Sequence, residues 1–428
     1  MRNEILRVRL SREERDLFSQ ACEQDNVSPS SRARELVAEY SRDRLGRTAN
    51  IEVTAELPEL PEVGKARKLR VGEMFSGPGG IGIALNRAKS AHLAFEHVWA
   101  TDWDPDTCRT YKANVLKETP NALSICKDVR ELDIDTLPVV DGFLYGFPCN
   151  DFSLVGESKG LHGNYGGLFS YGVKYIDRVN PLFFFAENVS GLSSANDGKA
   201  FKVILNALNH AGKFGYTITA HLYKFEEYGV PQARHRYILI GIRGDLGKTF
   251  AVPKPSGLMK SCEEALRNIP PNAANQDTTR QSAQVVERLK RIPEGWNVWQ
   301  AEEAGLLPEH LKLNVKGARL SQIYRRLDSK KPAYTITGSG GGGTHVYHWS
   351  EPRALTNRER ARLQTFPDDF VFYGSKESVR KQIGMAVPCD GARVILEALL
   401  KTLEGETYES VKANAGVFPA KTFGKQAP

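Results

Sequence analysis

The chain has 428 residues, with 58 lysines and arginines against 51 aspartates and glutamates, which gives a formal charge of +7. This length predicts two or three folded units, because single cores rarely grow beyond about 250–300 residues. No apolar stretch approaches the ~20 residues of a membrane-spanning helix and the N-terminus lacks a signal-peptide core, so we expect a cytoplasmic protein without membrane contact. The small positive charge is compatible with a polyanionic partner but does not by itself indicate one.

Six cysteines are spread along the chain without a Cys-x-x-Cys pair or a Cys/His cluster, so neither a metal site nor a disulfide framework is expected. A buried, inert thiol is the usual state of a cysteine in a reducing compartment. A catalytic role must therefore follow from the sequence around a particular cysteine, and only Cys149 has such surroundings.

The first 48 residues have the order strand, helix, helix. Arg7 and Arg9 alternate with apolar residues over residues 4–10, which predicts a short strand. Ser11 begins a capping-box sequence, and residues 28–30 introduce a second helical stretch.

This order, over about 45 residues, resembles the ribbon-helix-helix proteins, in which two copies pair their strands into a ribbon that enters the DNA major groove. The resemblance implies that Arg7 and Arg9 face DNA and that the unit forms a homodimer. The pattern is equally compatible with a dimerisation or packing appendage that does not touch DNA. Residues 49–67, which contain Pro58 and Pro61, are typical of a linker.

From residue 68 onward apolar strands alternate with helical stretches, which predicts an α/β fold with a doubly wound sheet. Five segments have the apolar character of buried parallel strands: 71–75, 98–102, 142–147, 182–186 and 237–242.

The alternation of strands and helices fades over residues 246–322, where the sequence becomes polar and basic, and it returns afterwards. We therefore predict a main domain formed by residues 68–245 and 323–404, with an inserted region at 246–322. Residues 405–428 form a C-terminal tail.

A glycine-rich loop, Phe75-Ser76-Gly77-Pro78-Gly79-Gly80, lies between the first apolar strand and the helical run at 83–88. Glycines in this position permit a tight turn and the close approach of a ligand to the backbone. The loop alone is equally compatible with a structural turn or with another kind of nucleotide site.

The ends of the next two strands favour a cofactor. Asp102 and Trp103 follow the second strand, where a carboxylate can bind a ribose diol and an indole can stack on an adenine. Asp128 and Val129 hold the equivalent position after the third strand, where a side-chain oxygen can accept the adenine amino group.

Reactive side chains follow later strands. Cys149 and Glu187 each come directly after an apolar strand, and Arg234 and Arg236 lie two residues apart in an extended segment, on one face. Since the carboxyl ends of strands form the active edge of an open α/β sheet, we expect thiol, carboxylic acid and guanidinium to converge there.

The motifs between residues 68 and 402 resemble those of the DNA cytosine-5 methyltransferases, and they occur in that family's order. They are the loop at 75–80, Pro148 to Ser153, Glu187 to Val189, Gln232 to Arg236, Arg326 to Thr337 and Gly384 to Pro388. The resemblance implies a Rossmann-like methyltransferase sheet, S-adenosyl-L-methionine as cofactor, and a target-recognition role for residues 246–322.

The resemblance also assigns contacts residue by residue. Cofactor contacts fall on Phe75, Ser76, Gly77, Pro78, Gly79, Gly80, Asp102, Trp103, Asp128, Val129, Pro148, Leu168 and Ala386. Substrate contacts fall on Asn150, Ser153, Asn188 and Gln232, together with Arg7 and Arg9 of the N-terminal unit.

The implied chemistry explains the catalytic residues. Carbon 5 of cytosine becomes nucleophilic only after a group adds to carbon 6, and the thiolate of Cys149 is that group. Glu187 in its protonated form hydrogen-bonds ring N3, and Arg236 with Arg234 binds the cytosine O2 and a nearby phosphate. The target base is flipped out of the duplex to reach them.

Three positions depart from the family's usual pattern. Asn150 replaces a glutamine, Met385 replaces an asparagine, and residues 163–167 lack the usual Asp-x-Arg-Gly. We interpret the changes as tuning, with reduced activity as the alternative.

The predicted recognition region is rich in basic and tryptophan side chains that are suited to phosphate contact: Arg280, Arg288, Lys290, Arg291, Lys312, Lys316, Arg319, Trp296 and Trp299. A solvated helix face is an equally good interpretation of residues 288–291. The glycine-rich run at 338–343 predicts either a mobile loop on the DNA backbone or a disordered turn.

The sequence thus predicts an enzyme that methylates cytosine in one short double-stranded DNA sequence, alone or beside a restriction endonuclease. Two alternatives stay open at this point. One is the same chemistry on RNA, and the other is a transcriptional regulator that binds DNA through residues 1–48 with catalysis secondary.

Overall fold

The computed structural model describes residues 67–148, 167–193, 199–314 and 319–421. The ribbon-helix-helix-like unit, the linker up to residue 66, and Cys149, Asn150 and Ser153 lie outside these residues. None of the helices described is long and apolar enough to cross a membrane.

An eight-stranded sheet occupies the centre of the main domain. Its strands are β1 (Arg67–Met74), β2 (Leu93–Asp102), β3 (Leu123–Cys126), β4 (Gly142–Gly146), β5 (Phe183–Val189), β6 (Tyr216–Lys224), β8 (His235–Arg243) and β12 (Val417–Phe418). Their order is β12-β6-β8-β5-β4-β1-β2-β3. Two small sheets join β7 (Gln232–Ala233) to β10 (Ala333–Tyr334) and β9 (Val252–Pro253) to β11 (Ser410–Val411).

Strands β1 to β5 pair in parallel, as the sequence predicts. The prediction of a parallel strand at 237–242 is wrong, because β8 runs antiparallel to both β5 and β6. Apolar residues on both faces indicate a buried strand but not its direction. The direction follows from β6, which the sequence pattern does not reveal: residues 225–234 form a loop that contains β7 and brings the chain back beside the end of β6, so β8 pairs with β6 in the antiparallel direction.

Helices cover both faces of the sheet. The helices of the main domain are α1 (Gly80–Arg87), α2 (Pro105–Asn114), α3 (Phe169–Val179), α4 (Lys199–His210), α8 (Asn357–Leu363), α9 (Lys376–Met385) and α10 (Cys389–Glu404). The inserted region contributes α5 (Cys262–Leu266), α6 (Ala283–Arg291) and α7 (Val298–Glu303).

Alternate residues of the same strand enter two separate cores. Phe183 and Phe185 of β5 pack with Ile395 and Leu399 of α10 on one face. Phe184 packs on the other face within the core that α3 and α4 complete. Burial on both faces fixes the register of β5, because a shift by one residue would exchange the two sets of side chains.

A small hydrophobic core combines Leu289, Ile292 and Trp299 with Tyr324, Tyr347 and Ala354 of the following segment, and Arg288 is buried next to Leu289 in α6. The Arg288 side chain is 4% exposed, its Nε donates to the carbonyl of Leu311 at 2.8 Å, and its guanidinium lies 4.7 Å from the centre of the Tyr324 ring. Both interpretations of Arg288 from sequence, a phosphate contact and a solvated helix face, are therefore wrong, although Lys290 and Arg291 beside it are exposed.

A buried polar group lies in β1 directly before the glycine-rich loop. Glu73 is 1% exposed and accepts a hydrogen bond from the Tyr111 hydroxyl at 2.6 Å, and that hydroxyl lies 3.3 Å from Nδ1 of His97. Burial raises the pKa of Glu73 to about 8, with Asp102 adding to the effect and Tyr111 opposing it. Burial likewise lowers the pKa of His97 to about 4. At neutral pH this cluster carries no net charge.

We expect Glu73→Gln to change how stability depends on pH. The folded chain keeps the Glu73 proton up to pH about 8, whereas an unfolded chain releases it above the ordinary glutamate pKa of 4.5. The wild type therefore loses up to about 1.4 kcal/mol of unfolding free energy per pH unit within this window, and the variant does not. Urea unfolding between pH 5 and 8 measures the difference. Glu96→Gln, at an exposed position of β2, is the control, and parallel pH curves for wild type and Glu73→Gln would contradict the expectation.

Candidate active site

The glycine-rich loop joins β1 to α1 and packs tightly against its surroundings. Gly79 has φ +106°, and a Cβ there would lie 2.4 Å from the Val115 side chain. A Cβ on Gly80 would lie 2.1 Å from the carbonyl oxygen of Val387. Glycine is therefore required at both positions, and the loop lies directly against the closing part of the domain.

The carboxylate of Asp102 is fixed beside this loop. One oxygen accepts from the backbone N–H of Gly77 at 3.0 Å and the other from that of Asp104 at 3.1 Å. Burial raises the pKa of Asp102, and these backbone donors oppose the rise. Trp103 follows with 62% of its side chain exposed, and the ammonium of Lys381 lies 5.2 Å from its ring centre. The hydrogen-bonded carboxylate of Asp102 and the solvent-exposed indole of Trp103 therefore lie side by side.

Asp128 lies after β3, in an ion pair with Arg130. Its two oxygens accept from Nε and Nη2 of Arg130 at 2.9 and 2.6 Å. These hydrogen bonds lower the pKa of Asp128 to about 2, so the carboxylate is an acceptor at any physiological pH. Val129, the next residue, is buried.

A cavity of about 620 Å³ joins these groups to the later strands. Eleven of the thirteen predicted cofactor residues line it: Phe75, Ser76, Gly77, Gly80, Asp102, Trp103, Asp128, Val129, Pro148, Leu168 and Ala386. Pro78 and Gly79 are buried within the loop and are not among its lining residues. Glu187, Asn188, Arg234 and Arg236 line the cavity at its other end.

Glu187 and Arg236 meet across the β5–β8 pair. Nε of Arg236 lies 3.0 Å from Oε1 of Glu187, and both side chains are less than 15% exposed. Burial raises the pKa of Glu187, while the charges of Arg236 and Arg234 oppose the rise. Burial thus favours the protonated form of this acid, the form that can donate to a base in the cavity.

Asn188 holds the chain that leads towards Cys149. Its side-chain amide donates to the carbonyl of Phe147 at 2.9 Å, and its side-chain oxygen accepts from the N–H of Val189 at 2.8 Å. Phe147 and Pro148 are the last described residues before Cys149, and both line the cavity. Asn188, which is buried, therefore fixes the position of Phe147, two residues before the predicted nucleophile.

Arg234 and Gln232, expected at the substrate, face the closing part of the domain. Arg234 is 1% exposed and donates to the carbonyls of Ile336 and Gly384 at 3.2 and 3.0 Å. Gln232 is fully buried, accepts from the N–H of Ile336 and donates to the carbonyl of Leu363. The sequence does not indicate these contacts, because their acceptors are backbone carbonyls, which every residue type provides.

A doubly wound sheet with a glycine-rich loop, an acidic residue after β2 and a second polar cluster at the same edge defines the class of S-adenosylmethionine-dependent methyltransferases. The family model for C-5 cytosine-specific DNA methylases matches residues 69–401, and the chain belongs to this family. It is a DNA cytosine-5 methyltransferase that uses S-adenosyl-L-methionine, as the sequence motifs predict.

Several methyltransferases are similar in sequence or fold to this chain over most of its length. The Type II methyltransferase M.BbvI of Brevibacillus brevis is 56% identical over 358 residues, which covers 81% of this chain and 94% of the relative. M.NgoFVII of Neisseria gonorrhoeae, also a Type II methyltransferase, is 37% identical and covers 81% and 90%. The crystal structure of the Dnmt2 methyltransferase of S. pombe matches with a TM-score of 0.51 and 17% identity, over 78% of this chain and 98% of that one, and supports the fold alone.

We expect Trp103→Ala to weaken binding of S-adenosylmethionine by about two- to tenfold, because an aromatic stacking partner contributes about 0.5–1.5 kcal/mol. Titration calorimetry of the purified protein measures the loss. Trp296→Ala is the matched control, since that tryptophan is 37% exposed and does not line the cavity. Equal affinity of the wild type and Trp103→Ala would show that the indole does not contact the adenine.

Proposed function

We propose that this enzyme methylates a cytosine flipped out of one specific duplex sequence, through a covalent bond between Cys149 and carbon 6 of the base. The buried Glu187–Arg236 pair carries the proposal, because it lies in the same cavity as Asp102 and Trp103 and beside the chain that leads to Cys149. A methyl donor and a base can therefore reach each other in one enclosed space.

The cavity suits S-adenosylmethionine at its β1–β3 end. Its volume of about 620 Å³ lies in the usual range for ligand pockets, ~300–1,000 Å³. Asp102 is held by backbone donors where it can accept hydrogen bonds from ribose hydroxyls, and Trp103 is open to stack on an adenine. When bound, the cofactor supplies the methyl group that carbon 5 receives.

Side chains of the protein make carbon 5 of the target cytosine nucleophilic. The thiolate of Cys149 forms a bond to carbon 6 while the proton of Glu187 passes to ring N3, so no net charge accumulates on the ring. Arg236 holds Glu187 in place and presents a donor to the cytosine O2. After carbon 5 has gained the methyl group, its proton passes to a water molecule, the C5–H electron pair forms the C5–C6 double bond and expels the thiolate, and N3 returns its proton to Glu187. Asn188, Pro148 and Phe147 position the chain before Cys149.

We expect Glu187→Gln to lower the rate of methyl transfer by about 10²–10⁴-fold, because the amide cannot donate a proton to N3. The wild-type rate should fall as pH rises through the raised pKa of Glu187, and the variant should lack this fall. Transfer of labelled methyl groups to mixed-sequence duplex DNA measures both. Glu226→Gln is the matched control, since Glu226 pairs with His235 at 2.7 Å outside the cavity.

Cys149→Ala should abolish transfer and any covalent complex with DNA. Substantial turnover by either Glu187→Gln or Cys149→Ala would contradict the proposed roles. Base-resolved sequencing of the product would also identify the target.

We propose further that the enzyme belongs to a restriction–modification system, since the relatives from B. brevis and N. gonorrhoeae are both Type II methyltransferases. A matched span that covers 81% of a 428-residue chain necessarily contains residues 246–322. At 56% identity we expect the same target sequence as that of the B. brevis enzyme. DNA methylated by either enzyme should resist further methylation by the other, and independent methylation would contradict a shared target.

We also propose roles for the N-terminal unit and for two partners, a second copy of the chain and a restriction endonuclease. Residues 1–48 would pair two chains and place Arg7 and Arg9 on DNA, and a restriction endonuclease would recognise the same sequence. With or without these partners, DNA is the substrate of the enzyme.

A further inference from the structure

The glycine-rich run at 338–343 lies against the closing helices. A Cβ on Gly340 would lie 2.4 Å from Nε of Arg380, and one on Gly338 would lie 2.9 Å from the Cα of Lys381. Gly341, Gly342 and Gly343 all have positive φ, at 115°, 53° and 87°. Successive backbone N–H groups in such a turn can converge on an anion.

Two arginines lie buried under this loop with unused donors. Arg360 of α8 is 1% exposed, and the only hydrogen bond of its side chain to a described residue is a long one of 3.5 Å from Nη1 to the carbonyl of Thr337. Its Nε and Nη2 have no acceptor among the described residues, nor has Nε of Arg380, which is 7% exposed.

Nearby carboxylates do not neutralise the pair. Glu359 is held by two hydrogen bonds of 2.8 Å from Arg353, and Glu377 is 72% exposed and 3.8 Å from Arg380. Burial and then the charge of Arg380 lower the pKa of Arg360 to about 10, so it remains charged at neutral pH. Burial and both arginines lower the pKa of His345 to about 4, so that ring stays neutral.

Two buried cations with unused N–H groups are costly unless an anion joins them. Arginine matches phosphate oxygens in geometry, and glycines leave the loop backbone accessible to a ligand. The outer side of the loop is exposed at Ser339, Gly341 and Gly342, and such a ligand would arrive there.

We infer that Arg360, Arg380 and the loop 338–343 form a binding site for a phosphate group, and that its occupant is a phosphodiester of the DNA strand. This rests on DNA being the substrate. The loop begins two residues after Ile336, whose carbonyl accepts a hydrogen bond from Arg234 of the cavity, so a phosphate here would belong to a DNA strand that also reaches the active site.

The salt dependence of DNA binding tests the site, with S-adenosylhomocysteine present to prevent turnover. We expect Arg360→Met and Arg380→Met to bind duplexes with and without the target sequence roughly tenfold more weakly. Each should reduce the slope of log K against log salt by about 0.9, the value for one phosphate contact. Binding of S-adenosylhomocysteine alone should not change.

Arg358→Met is the matched control. Arg358 lies two residues before Arg360 on α8, is fully buried, and uses its donors on the carbonyls of Ala274, Pro367 and Phe370. It should lower the melting temperature but leave the salt slope unchanged. If Arg360→Met does not fold, Arg360→Lys and Arg380→Met still give the comparison, because lysine keeps the charge and should keep most of the slope.

A second measurement separates the sources of the phosphate. The melting temperature of the wild type and Arg360→Met is recorded with rising inorganic phosphate at constant ionic strength. Stabilisation confined to the wild type, with an unchanged DNA salt slope in the variants, would assign the site to free phosphate and overturn its assignment to DNA. No change in either measurement would overturn the site altogether. Reduced slopes for Arg360→Met and Arg380→Met, with an unchanged slope for Arg358→Met, support it, whether or not Cys149 has its proposed role.

Discussion

The antiparallel pairing of β8 with β5 is the constraint on which the catalytic end of the cavity depends. Arg236 stands opposite Val189 in this register, at the edge where the parallel strands end. Its guanidinium therefore reaches Glu187 on the neighbouring strand at 3.0 Å. A strand that ran parallel to β5 would begin at the opposite edge of the sheet and carry Arg236 away from the site.

Residues 384–387, far along the sequence from the glycine-rich loop, close the cavity. Buried side chains hold this segment and residue 336 by hydrogen bonds to their backbone carbonyls. Arg234 binds the carbonyls of Ile336 and Gly384, and Gln364 donates to those of Ile383 and Ala386. Gly80 touches Val387 directly. Because each donor is buried, loss of one would leave a carbonyl or a guanidinium without a partner, which is more costly than the loss of an exposed contact.

The buried ionisable groups of this fold are of two kinds: some stabilise the fold, and others are assigned above to the binding or methylation of DNA. Arg358 and Arg326 use their donors on carbonyls and connect segments of the domain. Arg360, two residues from Arg358, has donors without acceptors in the part of the chain that the structure describes, and Glu187 has a raised pKa beside a cavity. The difference between satisfied and unsatisfied buried groups distinguishes a structural arginine from a binding one.

The sequence alone determined the family, the cofactor and the presence of the parallel strands β1, β2, β4 and β5, because motifs such as residues 75–80 and 148–153 combine rare residue types at fixed spacing with a strand before them. It also placed eleven cofactor residues that line one cavity. Only the tertiary structure decided the direction of β8, the burial of Arg288 and the inward orientation of Arg234 and Gln232. Each of these depends on pairing between distant segments or on backbone acceptors, and neither leaves a pattern in the local sequence.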